Sequence, residues 1–279
     1  MSWSCLPNEI INTILSEKLS PRDMARLALV NKTTCSVVLQ HLYRQVRLRL
    51  SCLDPGYDNV AVHYTSRGNF DLLHRTICKS PNLGVLIQCL ELTCDEVREE
   101  VGELYSDELH LKKLLGKLHS LQRFKLTVQG TSYFDPAFLN ENLPATLQHL
   151  DLDFCEINLE QAVGYIALPN LKFLRIEHCV RYSSLDGLPP LSQDHLETFE
   201  INIDADALRN FLTHVLCNRP LTNFKCDISP PMNRAPGWSI RPSHISQALS
   251  HCHQTLVRLD VSCTLDYVLY ISWILLTLI

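Results

Sequence analysis

The sequence predicts an α/β chain in which a small three-helix unit precedes a degenerate repeat solenoid with a parallel sheet on its concave face. Helical apolar spacing recurs three times within the first fifty residues. The pattern L-x-x-L-x-L, apolar at places one, four and six, then recurs seven times between Ile87 and Val261. Charge also reverses between the two parts. Seven basic against three acidic groups make residues 1–50 +4, which leaves −9 of the total −5 for the rest. With 46% apolar and 20% charged residues, the 279-residue chain has material for a sizeable core and is too hydrophobic for disorder.

The first helix is read from Ile10, Ile11, Ile14 and Leu15 behind Pro7-Asn8-Glu9, with Pro in the opening turn. Ser20-Pro21-Arg22-Asp23 stops it and starts a second: Ser caps, Pro takes the first helical position, and Asp complements the positive helix end. That helix continues through Met24, Leu27 and Ala28. A third follows Asn31-Lys32 through Val37, Val38, His41 and Leu42, and ends near Tyr43. Three helices this short bury little core, so the unit depends on packing against the rest of the chain or a partner.

The string Leu6-Pro7-x-Glu9-Ile10-x3-Ile14-Leu15-x3-Leu19-Ser20-Pro21-x-Asp23-Met24-x2-Leu27-x2-Val30-Asn31-Lys32, closed by Leu42-Tyr43, resembles an F-box, and its Val-Asn-Lys and Leu-Tyr-Arg variants are similar to fungal members. The resemblance implies docking on the Skp-type linker of an SCF (cullin-RING) ubiquitin ligase. Position by position, it implies linker contacts at Leu6, Pro7, Ile10 and Ile14, then at Asp23, Leu27, Val30 and Lys32, with Tyr43 where many members carry Trp. Each apolar position has a plainer alternative as core of the helical unit. The +4 charge suits a linker that is acidic in this family.

The seven pattern copies start at Ile87, Leu121, Leu147, Leu171, Leu196, Leu221 and Leu256, with steps of 34, 26, 24, 25, 25 and 35. Five neighbours thus keep a step of 24 to 26. Cys155 and Cys179 stand at the ninth place and Ile157 at the eleventh, whereas the other ninth places hold Asp95, Gln129, Asp204, Ser229 and Thr264. The stretch 83–266 therefore resembles degenerate leucine-rich repeats. Each unit, a short strand and a return segment, cannot bury its apolar face alone, so neighbours must stack.

On such a sheet, places four and six face inward, and places three, five and seven stand on the open face. Place five reads Glu91, Lys125, Asp151, Arg175, Glu200, Lys225, Asp260, with the sign alternating at every step. Lateral neighbours of this kind form a ladder that fixes register. Place seven carries acid without matching base, and place three presents an aromatic, Phe173. The target-binding candidates are therefore His149, Asp153, Phe173, Glu177 and Asp227, expected to take a basic, partly apolar segment. The alternative is a solvated face with contacts on loops.

The boundaries that follow are 1–50 for the helical unit, 51–82 for a linker with a short helix over 70–78, 83–266 for the repeats and 267–279 for an apolar end. Eight acids against Arg98 between Glu91 and Glu108 predict a helix with a solvated acidic face. The loop at 230–238 leaves Trp238 for the repeat edge or a partner. The uncharged run Tyr267–Ile279 has 13 residues, short of the roughly 17–25 of a membrane span. It reads as a truncated product, a segment packed on the last repeat, or a tail anchor.

Catalytic and cofactor chemistries find no motif. Only nine glycines occur, with no G-x-G-x-x-G or phosphate loop, and there is no H-E-x-x-H or G-x-S-x-G. The twelve cysteines form no C-x-x-C and read as small buried hydrophobes, and His251-Cys252-His253 does not converge on one reacting atom. No cofactor, metal or nucleic-acid partner is expected. A membrane partner is not expected either. Without a secretory signal pattern at the N-terminus, a reducing compartment is expected, cytoplasmic or nuclear.

Overall fold

A computed structural model describes residues 8–16, 19–50, 65–94, 109–128, 137–153, 157–181, 195–204, 221–229 and 255–263. Leu6, Pro7, Cys155, Trp238, His251 to His253 and the segment 267–279 lie outside the described residues.

Helices α1 (Asn8–Ser16), α2 (Pro21–Ala28) and α3 (Lys32–Arg44) follow the predicted spacing. The α2 start matches its local chemistry: Ser20 Oγ accepts from Asp23 N–H at 3.1 Å, Pro21 opens the helix, and Asp23 pairs with Arg26 at 3.6 Å. Asn31 caps α3 by accepting from Thr34 N–H at 2.8 Å. The three helices close over a small core of Ile11, Leu15, Val37 and Val38, flanked by Leu19, Met24, Leu27, Ala28 and Leu42.

Among the described residues, eight strands form one parallel sheet in this order: β1 (Gln45–Leu50), β2 (Cys89–Cys94), β3 (Arg123–Val128), β4 (His149–Asp153), β6 (Phe173–Arg181), β7 (Thr198–Asp204), β8 (Asn223–Ser229) and β9 (Arg258–Cys263). The two-residue β5 (Ile157–Asn158) adds to β6, and Ile157 is buried. Leu90, Phe124, Leu150, Leu174, Phe199, Phe224 and Leu259 align across the sheet, and the β6–β7 register shifts by a bulge between Ile176 and Val180. These place-four residues and all place-six residues are buried, as are the place-one residues except the partly buried Leu256.

A repeated backbone clasp enforces that register. The carbonyl of Gln88 accepts from both Gln122 and Arg123 N–H, at 2.8 and 2.9 Å. The same forked acceptance recurs at Gln122, Gln148, Lys172, Glu197 and Thr222. Side chains add rungs: Thr146 Oγ1 donates to the carbonyls of His119 and Leu121, Asn170 to Ala145, and Thr222 to Glu197. Each place-two carbonyl thus finds its donors at a strand entrance.

Helices cover one sheet face. They are α4 (Thr65–Lys79), α5 (Pro81–Gly84), α6 (residues 109–115), α7 (Ala137–Asn142) and α8 (Leu159–Ile166). Phe70, Ile77, Leu111, Leu114, Leu139, Tyr165 and Ile166 join the strand residues in one core. Gly84 belongs here for a steric reason, because a Cβ would lie 2.7 Å from the Lys117 carbonyl oxygen.

Three expectations are corrected. The sheet begins at β1, ahead of Ile87: Tyr43, Val46 and Leu48 repeat places one, four and six and pack on the sheet's core. Glu91 to Cys94 lie in β2 and not in an acidic helix, and residues 95–108 are outside the described residues. Asp151, a place-five residue expected on the open face, is only 3% exposed. The helix expected over 70–78 is the longer α4.

Candidate functional site

Two surfaces carry the candidate residues. On the helical unit, Ile10 is 47% and Val30 49% exposed, so both are outside the core that their neighbours Ile11 and Leu27 build. Leu29, which pattern reading passed over, is 86% exposed on the turn between α2 and α3. Three large apolar side chains left in water on so small a unit are the feature an interface explains. Asp23 and Lys32 are exposed, and Ile14 and Leu27 are half-buried. Tyr43 packs on the sheet's core, so its ring ties the helices to the sheet.

That tie is direct. Helix α3 ends at Arg44 and β1 begins at Gln45. The Arg44 carbonyl accepts from Gln88 N–H at 3.0 Å, and Arg44 Nε donates to Gln88 Oε1 at 3.0 Å.

On the open sheet face, the place-five column is an alternating ladder that extends one step further than expected, to Arg47 opposite Glu91. Ion pairs join Arg47 to Glu91 at 2.8 Å, Lys125 to Asp151 at 3.2 Å and Arg175 to Glu200 at 3.6 Å. Arg175 also meets Glu177, Lys225 meets Asp227 at 3.5 Å, and Arg258 meets Asp260 at 3.9 Å. Asp227 also accepts from Ser262 Oγ.

The five target-binding candidates divide into two groups. Asp153, Glu177 and Asp227 line one cavity of about 200 Å³, together with Glu200, Asn202, Arg175 and Lys225. Four carboxylates against two cations give it a net negative lining. His149 and Phe173 stand four residues earlier along their strands, roughly 13 Å away along the strand direction. Their rings stack in register, with centroids 3.9 Å apart and planes within 1°.

Burial, then the cations of Arg123 and Lys125, push the His149 pKa down to about 4 against the opposing pull of Asp151. The ring is therefore neutral at pH 7. Its folded pKa lies below the ordinary 6.5, so the unfolded chain takes the proton first as pH falls. The stabilisation of His149 over a non-titrating residue is complete above about pH 6.5 and declines down to about pH 4. Denaturant titrations at pH 7 and pH 4.5 are expected to show wild type losing more stability than His149→Gln over this interval.

Cys89 is held as a thiol. Burial and the Glu91 carboxylate push the Cys89 thiol up, opposite to the shift that makes a thiolate. Cys78 Sγ lies 3.5 Å from His74 Nε2 on α4, a pair that the sequence analysis missed. His74 stacks on His110, and burial with the charges of His110 and Lys113 pushes its pKa down. Among the described residues, no group of three or more His, Cys, Asp or Glu side chains is placed to hold a metal ion. No described helix is long and apolar enough to cross a membrane.

No curated protein matches this chain. Residues 3–49 match the family model described as F-box-like, so an F-box-like domain spans α1 to α3 and nearly all of β1.

Proposed function

We propose that the chain is a substrate-recognition adaptor of an SCF ubiquitin ligase, of the fungal type its F-box sequence resembles. The F-box-like domain binds a Skp-type linker, which connects it to the cullin, and the open face of the sheet holds a target protein. The observation that carries this reading is the F-box-like match at residues 3–49, joined to exposed Ile10, Leu29 and Val30 on those helices. Linker contacts are assigned to Leu6, Pro7, Ile10, Ile14, Asp23, Leu27, Val30 and Lys32. Tyr43 is assigned to the same linker-binding set as its aromatic anchor, and it also packs against the sheet's core.

The sheet, with its aligned place-four residues, recurring clasp and helical returns, is read as a degenerate leucine-rich-repeat solenoid, and its open face as the concave side. The repeats are taken to run from residue 83 to 266, preceded by β1 and α4, which carry the same sheet and core ahead of them. The adaptor does no chemistry. It raises the effective concentration of the target near the ubiquitin-charged enzyme and fixes its orientation. The uninterrupted passage from α3 into β1 serves that purpose, because it leaves no free hinge between the docking helices and the sheet.

One observation favours a rival, a repeat scaffold that uses these helices only for packing: Tyr43 lies against the sheet's core. Co-purification separates the two. The tagged chain is expected to bring down the linker and cullin from cells, and a Leu6→Ala, Pro7→Ala variant to lose both. A wild type that recovers neither supports the scaffold.

A further inference from the structure

We propose that the helical face formed by α4 and α6 is a second docking surface, which takes an acidic segment of a partner protein anchored by aliphatic side chains. It lies across the sheet from the open face and does not depend on the adaptor reading. On α4, Leu72, Arg75 and Lys79 follow one another at three and four residues, so they share an outer stripe turned from the buried Leu73 and Ile77. On α6 and the turn after it, Leu109, Lys113 and Lys117 are four apart and turned from the buried Leu111 and Leu114. The rings of His74 and His110 stack with centroids 4.6 Å apart, which sets the two stripes side by side. Val85 adds a third apolar side chain next to Gly84, which packs against the Lys117 carbonyl.

Two independent features of this face are left without partners. Among the described residues, Ile10, Leu29 and Val30 on the docking helices account for three of the exposed large apolar side chains. Leu72, Val85 and Leu109, each about half exposed, are three of the other four, so exposed apolar surface is concentrated here. Arg75, Lys79, Lys113 and Lys117 are exposed and make no ion pair among the described residues. On the open face, by contrast, Arg47, Lys125, Arg175, Lys225 and Arg258 each meet a carboxylate. Asp71 is the one carboxylate on α4 and α6, and it is turned to His110 at 3.8 Å. The positive field is felt at the seam, where burial, then the charges of His110 and Lys113, push the His74 pKa down against the pull of Asp71. Unpaired cations gathered on one face of a chain of net charge −5 complement an anionic partner. Nucleic acid uses only half of the surface, because a phosphate backbone gains nothing from three aliphatic side chains, and no exposed Phe, Tyr or Trp stands among them to stack on a base. A peptide that interleaves carboxylates with leucine-like anchors uses both halves.

The test titrates the full chain, at low salt and without linker, into a short fluorescein-labelled peptide of glutamate and leucine and follows anisotropy. Failure here and failure of linker binding are thus separate results. Two counterpart peptides carry glutamine for glutamate and serine for leucine, and a thymidine oligonucleotide is the fourth probe. The glutamate-leucine peptide is expected to bind about tenfold or more tighter than either counterpart and than the oligonucleotide. The double substitution Arg75→Glu, Lys113→Glu is expected to weaken it about tenfold or more, and Leu72→Ser, Leu109→Ser about fivefold. All four residues are exposed, so these variants keep the fold, which circular dichroism checks. The pair Lys172→Glu, Arg258→Glu, an equal change of charge elsewhere, is expected to leave the affinity within about twofold of wild type. Equal binding of the glutamine peptide, tighter binding of the oligonucleotide, or an Arg75→Glu, Lys113→Glu variant that binds no more weakly than the Lys172→Glu, Arg258→Glu control would overturn the proposal.

Discussion

Replacing Phe199 with alanine is expected to lower unfolding free energy by about 3–5 kcal/mol. Phe199 is fully buried at place four of β7, with its ring 5.9 Å from that of Phe224 in the next strand. Removing it costs the transfer of a large apolar group, a cavity between strands that cannot close without breaking register, and an aromatic pair worth about 0.5–1.5 kcal/mol more. For a domain whose total is about 5–15 kcal/mol, that is a large share. Strand β7 pairs with β6 and β8, so the loss acts locally on the packing of these two neighbours. Guanidinium titration followed by circular dichroism should show a lowered midpoint. A midpoint within error of wild type would contradict the assignment of place four to the core.

A second large effect is expected at the docking surface. The double substitution Ile10→Asp, Val30→Asp places charges on two side chains that are about half exposed and outside the helical core. Exposed substitutions of this kind change stability by roughly 0.5 kcal/mol or less, so the fold should be retained. At the proposed linker interface, each would remove an apolar anchor worth about 2 kcal/mol, or roughly a thousandfold in affinity together. Calorimetric titration with the purified linker checks the affinity, and thermal melting checks the fold. Unchanged binding would place the interface elsewhere.

The strand positions were legible because period and spacing state them directly: an apolar residue at places one, four and six has one way to be buried on a parallel sheet. Strand β1 was not, although Tyr43, Val46 and Leu48 carry the same pattern. Its place one lies at the end of a helix, and the next copy begins only at Ile87, so neither spacing nor local propensity marked it. The His149–Phe173 stack follows from two rings at place three on adjacent strands, and the grouping of Asp153, Glu177 and Asp227 from their shared place seven. Asp151 could not be told from its neighbours. The pattern specifies only which face it occupies and not how deeply its side chain is covered there. The Cys78–His74 pair, by contrast, is an i, i+4 spacing on α4 that helical geometry alone could have found.

The docking function is tested most directly by titrating the purified chain with a purified Skp-type linker. The account predicts saturable one-to-one binding with a micromolar or tighter Kd and co-elution of the pair on size exclusion. A folded chain that shows no heat of binding and no co-elution at about 100 μM linker, a hundredfold above a micromolar Kd, would contradict it.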